Sequence, residues 1–192
     1  PNFDKLAQQS LVFDYAFTNM AICSASRNSF MTGRLPDNTR TWNFINYFRE
    51  GGVDTTGAVG SDWTTMPQHF KKSGYTTLGH GKLYHPNKPP NNDEPTSWSQ
   101  SRPYYPTTTT GCHGDGERYC PGVSNDNSTY SDFNTVTNAL DTLRIVAADY
   151  KATGTPFWVG VGNHFPHQSW STPPWTAALY PPATQMPAAK HP

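Results

Sequence analysis

The sequence predicts an α/β chain, a layered mixed sheet with helices on both faces, and three observations predict it. Val136, Ala139, Leu140, Leu143, Val146, Ala147 and Tyr150 recur at helical spacing, which marks Asn134 to Tyr150 as an amphipathic helix packed on a sheet. A Thr-Gly-Thr-Pro turn then leads into Phe157-Trp158-Val159-Gly160-Val161, a near-continuous apolar run expected of a strand covered on both faces. Met66 to Ser73 followed by Tyr75 to Leu78 has the same order, helix then strand, with Gly74 between them. Alternation of this kind favours a sheet whose ligands lie beyond the carboxyl ends of its strands.

The remaining elements follow in chain order. Asn2 to Gln9 is expected to form a short helix capped by Asn2, with Phe3 and Leu6 on one side, and Leu11 to Phe17 to form a strand. Cys23-Ser24-Ala25-Ser26-Arg27 opens a second short helix, which continues through an apolar stretch and stops at Gly33. Lys88 to Asn127 has little periodicity and is rich in Pro, Asn, Ser, Thr and Tyr, so a long surface excursion is expected, of the kind that forms the rim or lid of a site. No internal repeat or domain linker is evident.

Charge balances at 14 basic against 14 acidic residues, which gives no electrostatic footprint for nucleic acid or a membrane surface. Hydrophobic content is 34%, and no apolar run approaches the roughly 20 residues of a spanning helix. The 18 prolines point to long ordered loops. Cys112 and Cys120 flank a turn-rich Gly-Asp-Gly segment at a spacing that permits a local disulfide, or else they are two free thiols; pairing them leaves Cys23 as the odd cysteine. Asn127-Ser128-Thr129 is an acceptor sequon, relevant only to a eukaryotic secretory route.

Cys23 and Arg27 carry the strongest chemical signal. Residues four apart on a helix are neighbours, and the unpaired N–H groups of a first turn add partial positive charge to a guanidinium. Such a face suits phosphate, sulfate or carboxylate. A buried structural cysteine is the competing reading.

Cys23-Ser24-Ala25-Ser26-Arg27 resembles the signature of the type I, formylglycine-dependent sulfatases, with Ala25 and Arg27 in the third and fifth places. Two further blocks fall in the family's order: His80-Gly81-Lys82-Leu83-Tyr84-His85-Pro86, and Gly162-Asn163-His164-Phe165-Pro166-His167. The run from Gly33 to Arg40 resembles the iduronate-2-sulfatase-like branch most closely. The resemblance implies an alkaline phosphatase/sulfatase-like fold, with residues 1–192 as the N-terminal portion of one catalytic domain and an excursion at about 88–127. Sulfatases of this type are longer, the chain starts at Pro1 without an initiator methionine or signal peptide, and it ends in a Pro-rich run. It is therefore expected to be a fragment truncated at both ends and inactive alone.

The activity implied is hydrolysis of sulfate esters on a sulfated sugar or polysaccharide. Cys23 becomes formylglycine through a formylglycine-generating or anaerobic sulfatase-maturating enzyme. Its hydrate attacks sulfur, and the second hydroxyl later expels sulfate. Position 23 is also the implied ligand of Ca²⁺, with Mg²⁺ the alternative, the remaining ligands lying outside the chain. Arg27 offsets the charge of the hydrate, Lys82 contacts position 23 and a sulfate oxygen, His85 is the base of the elimination, and His164 protonates the leaving oxygen or binds sulfate. His167 belongs to the sugar pocket. An extracellular, periplasmic or lysosomal location follows from the family. Trp98, Tyr104 and Tyr105 either stack on sugar rings or pin the excursion to the body, packing being the commoner fate. His69, His80 and His113 have no role assigned by the resemblance and read as surface or packing residues, and Arg34 and Arg40 as structural.

Rival readings are a phosphonate or phosphate ester hydrolase of the same superfamily, a Cys-His hydrolase, and a non-catalytic glycan-binding relative. The Cys-His reading leaves Arg27 and Lys82 without a part. A zinc site at Cys112, His113 and Cys120 does not match a usual structural ligand pattern.

Overall fold

In a computed structural model of the chain, the described residues are 2–49, 59–107, 119–121, 130–167 and 170–186. The chain divides into two compact units, Pro1–Trp63 and Thr64–Pro192.

In the first unit, helix α1 spans Asn2–Ala7, shorter than the sequence suggests, and none of its residues is buried. The strand expected over Leu11 to Phe17 does not form. The segment is open chain with Leu11, Phe13, Tyr15 and Phe17 exposed, because apolar alternation makes a strand only where a partner edge satisfies its backbone, and no described strand pairs with it. Helix α2 is Cys23–Thr32, and Gly33 stops it in the left-handed conformation at φ 66°, its N–H bonded to the carbonyl of Ser29. A short helix α3, Pro36–Thr39, was not anticipated; proline at its first turn starts it and Arg40 ends it at φ 51°. The core of this unit holds Ala25, Met31 and Phe48, all fully buried. Phe48 stacks on Trp63 at 6.3 Å, and Arg34 lies 4.1 Å over the same indole while donating to the carbonyl of Thr32, which makes it structural.

The second unit opens with α4, Met66–Lys72, held by a capping box in which Thr65 and Gln68 exchange hydrogen bonds. Strand β1, Thr76–Gly81, runs parallel to β3, Phe157–Gly162, in the register Thr76 to Phe157 through Gly81 to Gly162. Between them lies α5, Ser131–Thr153, three residues longer at each end than the apolar periodicity predicts. Successive strand residues point to opposite faces. Phe70 of α4 stacks on Trp158, and Tyr150 of α5 meets Phe157 edge to face, so the two helices cover opposite faces of this pair. A second parallel pair joins β2, Tyr119–Pro121, to β4, Trp170–Thr172. Short 3-10 helices complete the unit at Pro90–Asp93, Pro174–Leu179 and Ala183–Gln185.

Strand β1 is buried almost throughout, whereas β3, the more apolar sequence, is mostly half-buried. The double cover expected of β3 is found instead at β1, because the excursion after Lys88 folds over it. Trp98, only 1% exposed, packs between Trp158 and Tyr104, and its Nε1 donates to the carbonyl of Asn92. Ser97 donates to Asp93, Thr77 donates to the carbonyl of Ser97, and Lys71 Nζ reaches the carbonyls of Pro95 and Trp98 at 2.6 Å each. This part of the excursion is pinned to the sheet rather than poised over a site.

Candidate active site

Cys23 occupies the first position of α2, after Ile22 in an extended conformation with no side-chain cap. Ile22 thus offers no side-chain acceptor to the first-turn amides. Cys23 and Arg27 both line one cleft of about 340 Å³, together with Thr18, Ser26, Ile22 and Phe30. The expected shared face of thiol and guanidinium is thus a wall of an open cleft, and Cys23 is a free, half-buried thiol rather than a core cysteine. Thr18 and Ser26 are joined through their hydroxyls at 2.7 Å on the same rim.

The second unit positions the other candidates at the carboxyl ends of β1 and β3. Gly81 and Gly162 are register partners, and the N–H of Lys82 donates to the carbonyl of Gly162 at 2.7 Å. That approach requires glycine twice. A Cβ on Gly81, whose φ is 71°, would sit 2.1 Å from the Gly162 carbonyl oxygen, and one on Gly162 would meet the Lys82 backbone at 2.4 Å. Lys82 is buried, and the hydroxyl of Tyr104 braces it from both sides, donating to the carbonyl of Gly81 at 2.5 Å and accepting from the N–H of Leu83 at 3.3 Å. His85 follows in a turn closed by the N–H of Lys88 on its carbonyl, at 2.9 Å.

His164 and His167 belong to one turn, in which the N–H of His167 donates to the carbonyl of His164 at 2.9 Å and the rings lie 5.0 Å apart. Asp132, in the first turn of α5, holds that turn. Its Oδ1 accepts from the N–H of His164 at 2.5 Å and its Oδ2 from the N–H of Phe165 at 2.9 Å. Sequence reasoning missed Asp132 because it started the helix at Asn134. A carboxylate in a helix's first turn, one strand away from a candidate histidine, was the available signal.

Of the two readings the sequence left for His80, surface or packing, the structure shows packing. It is buried on β1 beside Tyr105, with neither ring nitrogen hydrogen-bonded. Burial, and to a smaller degree the charge of Arg102, holds its pKa below the usual 6.5. Cys112, His113 and the sequon at Asn127 lie outside the described residues, and with them the expected Cys112–Cys120 disulfide.

A family model described as sulfatase matches residues 1–188. The chain belongs to the sulfatase family. Human iduronate 2-sulfatase is 37% identical over 195 aligned residues, which cover 94% of this chain and 33% of that protein. The mouse iduronate 2-sulfatase matches at 36% with the same coverage, and the mouse N-acetylgalactosamine-6-sulfatase at 29% over 46% of this chain and 19% of its own length. This sulfatase chain spans about a third of the length of the first two curated relatives it matches. A solved structure from work on glycosaminoglycan metabolism by Bacteroides thetaiotaomicron superposes with a TM-score of 0.54 and 21% identity, covering 87% of this chain and 37% of that one. The likeness supports the α/β fold. Among the described residues, no helix is long and apolar enough to cross a membrane, and no group of three or more His, Cys, Asp or Glu side chains is placed to hold a metal ion.

Proposed function

We propose that the protein carrying this chain hydrolyses sulfate esters on a sulfated sugar or polysaccharide, with Cys23 converted to formylglycine. The observation that supports this best is the open cleft that Cys23 shares with Arg27 at the uncapped start of α2, in a member of the sulfatase family. Hydrated formylglycine supplies two hydroxyls on one carbon, one to attack sulfur and one to expel sulfate.

The chain's own residues then divide the remaining work. Arg27, one helical turn on, offsets negative charge at position 23 and binds anionic oxygens. Lys82 brings an ammonium to a sulfate oxygen. His85 takes the proton that must leave when sulfate is released, and His164 gives one to the departing alcohol oxygen. His167, beside His164, contacts the sugar. In this reading residues 1–192 are the N-terminal portion of the catalytic domain, and the protein follows a secretory route to an extracellular, periplasmic or lysosomal site. Maturation takes a formylglycine-generating or anaerobic maturating enzyme. Calcium, or magnesium in its place, is the ion that goes with this chemistry; the described residues supply no ligand cluster for it, and none of these steps is routed through it.

The test is full-length protein produced beside a formylglycine-generating enzyme. Mass spectrometry of the Cys23 peptide should show the side-chain CH₂SH replaced by CHO, and the same preparation should release sulfate from a sulfated disaccharide. An intact thiol and no sulfate release would defeat the proposal. Hydrolysis of phosphonate or phosphate esters without release of sulfate would transfer it to the phosphoryl rival.

A further inference from the structure

Of the aromatics that the sequence offers for sugar stacking, Trp98 and Tyr104 are spent on the core and the half-buried Tyr105 lies against His80. Other aromatics are exposed. Phe133 near the start of α5, Phe165 in the histidine turn and Trp175 after β4 are 46%, 44% and 57% exposed, and together with Tyr130 they line a cleft of about 270 Å³. Its remaining walls are Pro173, Thr172 and Thr176, and among the described residues no charged side chain lines it.

Two features connect this cleft to the candidate site. Phe165 lies between His164 and His167 in one turn, and the carboxylate that holds the N–H of His164 also holds that of Phe165. That carboxylate, Asp132, directly precedes Phe133 of the opposite wall. One anchor therefore sets both the candidate proton donor and the cleft beside it.

The cleft's chemistry selects its occupant. Sulfate or carboxylate would be desolvated there without a counter-charge, so an anionic group is disfavoured. The C–H face of a pyranose, in contrast, pairs an apolar surface with aromatic rings and leaves its hydroxyls directed to solvent. We infer that the Phe133–Phe165–Trp175 cleft binds the neutral face of the sugar ring adjoining the sulfated one in an oligosaccharide substrate. This rests on the sulfatase reading for the sulfated residue itself, and it deepens that reading by requiring at least two linked sugars for full recognition.

The test uses full-length protein, its Trp175→Ala and Phe165→Leu variants, and the conservative Trp175→Phe. Binding of an unsulfated tetrasaccharide of uronic acid and hexosamine is measured by calorimetry. Turnover is compared on a monosaccharide sulfate and on a tetrasaccharide ending in the same sulfated residue. Trp175→Ala should raise the Kd for the unsulfated tetrasaccharide about tenfold and lower the tetrasaccharide-to-monosaccharide preference in kcat/KM by a similar factor, through KM, with Trp175→Phe restoring most of both. Equal loss on both substrates would show a general structural effect and overturn the inference. An unchanged Kd with a lowered Tm would overturn it too, since the protein's own chain would then fill the cleft. Calorimetric binding is independent of turnover, so a protein that binds the tetrasaccharide through Trp175 yet releases no sulfate from any substrate would sink the sulfatase reading and leave the cleft standing.

Discussion

Asp132 accepts the backbone N–H of His164 at 2.5 Å, and its second oxygen accepts that of the next residue at 2.9 Å. Both oxygens of one carboxylate are thus committed to the backbone of the turn that carries His164. An amide has one oxygen and one NH₂, so Asp132→Asn leaves one of these N–H groups facing a donor. The turn should then lose its fixed position while keeping its composition. The expected result is a fall in kcat for sulfate release of about tenfold to a hundredfold with a smaller change in KM, as displacement of a catalytic group by about an ångström costs rate rather than affinity. Asp132→Glu, which keeps both acceptors, should recover part of the loss. Steady-state kinetics on the full-length protein would decide, and a KM effect alone would count against a positioning role.

Gly81 and Gly162 make a second, purely structural prediction. Alanine at 81 meets a carbonyl oxygen at 2.1 Å from a backbone φ of 71°, and alanine at 162 meets the backbone of Lys82 at 2.4 Å. Neither obstacle is a flexible side-chain end. Each substitution should cost upwards of about 2 kcal/mol, since steric conflict adds to left-handed strain at position 81. Thermal melts should show the larger loss at 81, and a Tm equal to wild type for Gly81→Ala would refute the close approach of the two strand ends.

His80 ties stability to pH. Its folded pKa is lowered, chiefly by burial, so the unfolded chain binds the proton more readily. The sign follows from that difference. The contribution of His80 is fully present above its unfolded value of about 6.5, and it is lost as pH falls from there through the lower folded pKa. Arg102 acts in the same direction, and Tyr105 is its ring neighbour. Replacing His80 by Leu should flatten the decline of Tm between neutral and mildly acidic pH. An unchanged acid limb in the Leu variant would show that other groups carry it.

Much of this was readable in advance where local pattern and fold agree. The α5 periodicity, the β3 apolar run and the Gly33 stop each depend on neighbours within a few residues, and each element formed near its expected bounds. Leu11 to Phe17 failed because a strand is a property of two edges, and the sequence shows one. The burial of Trp98 was equally invisible, since it depends on Trp158, 60 residues away in sequence, and on a loop whose backbone carbonyls accept from Thr77 and Lys71. At the candidate site, the blocks at Cys23, Lys82 and His164 were legible as motifs. Asp132 and Phe133 were not, because their partners are joined to them only by the fold.

Tyr104 shows how the pinned excursion reaches Lys82. Its hydroxyl donates to the carbonyl of Gly81 and accepts from the N–H of Leu83, so it spans the peptide units on either side of Lys82. Tyr104→Phe keeps the ring against Trp98, whose centroid is 5.4 Å away, and leaves two buried backbone groups without that partner. The N–H of Leu83 still donates to the carbonyl of Gly81 at 3.2 Å, so stability should fall by about 0.5–1.5 kcal/mol, the net worth of a buried hydrogen bond. The more telling readout is kinetic. Trp98→Ala removes a buried indole and should cost about 3–5 kcal/mol, yet it leaves the Tyr104 hydroxyl in place. If the hydroxyl sets Lys82, Tyr104→Phe is the less destabilised protein but the one with the greater loss of kcat, measured well below either Tm. A loss of kcat that simply tracks the loss of stability across both variants would show that Tyr104 packs the excursion and does nothing for the lysine.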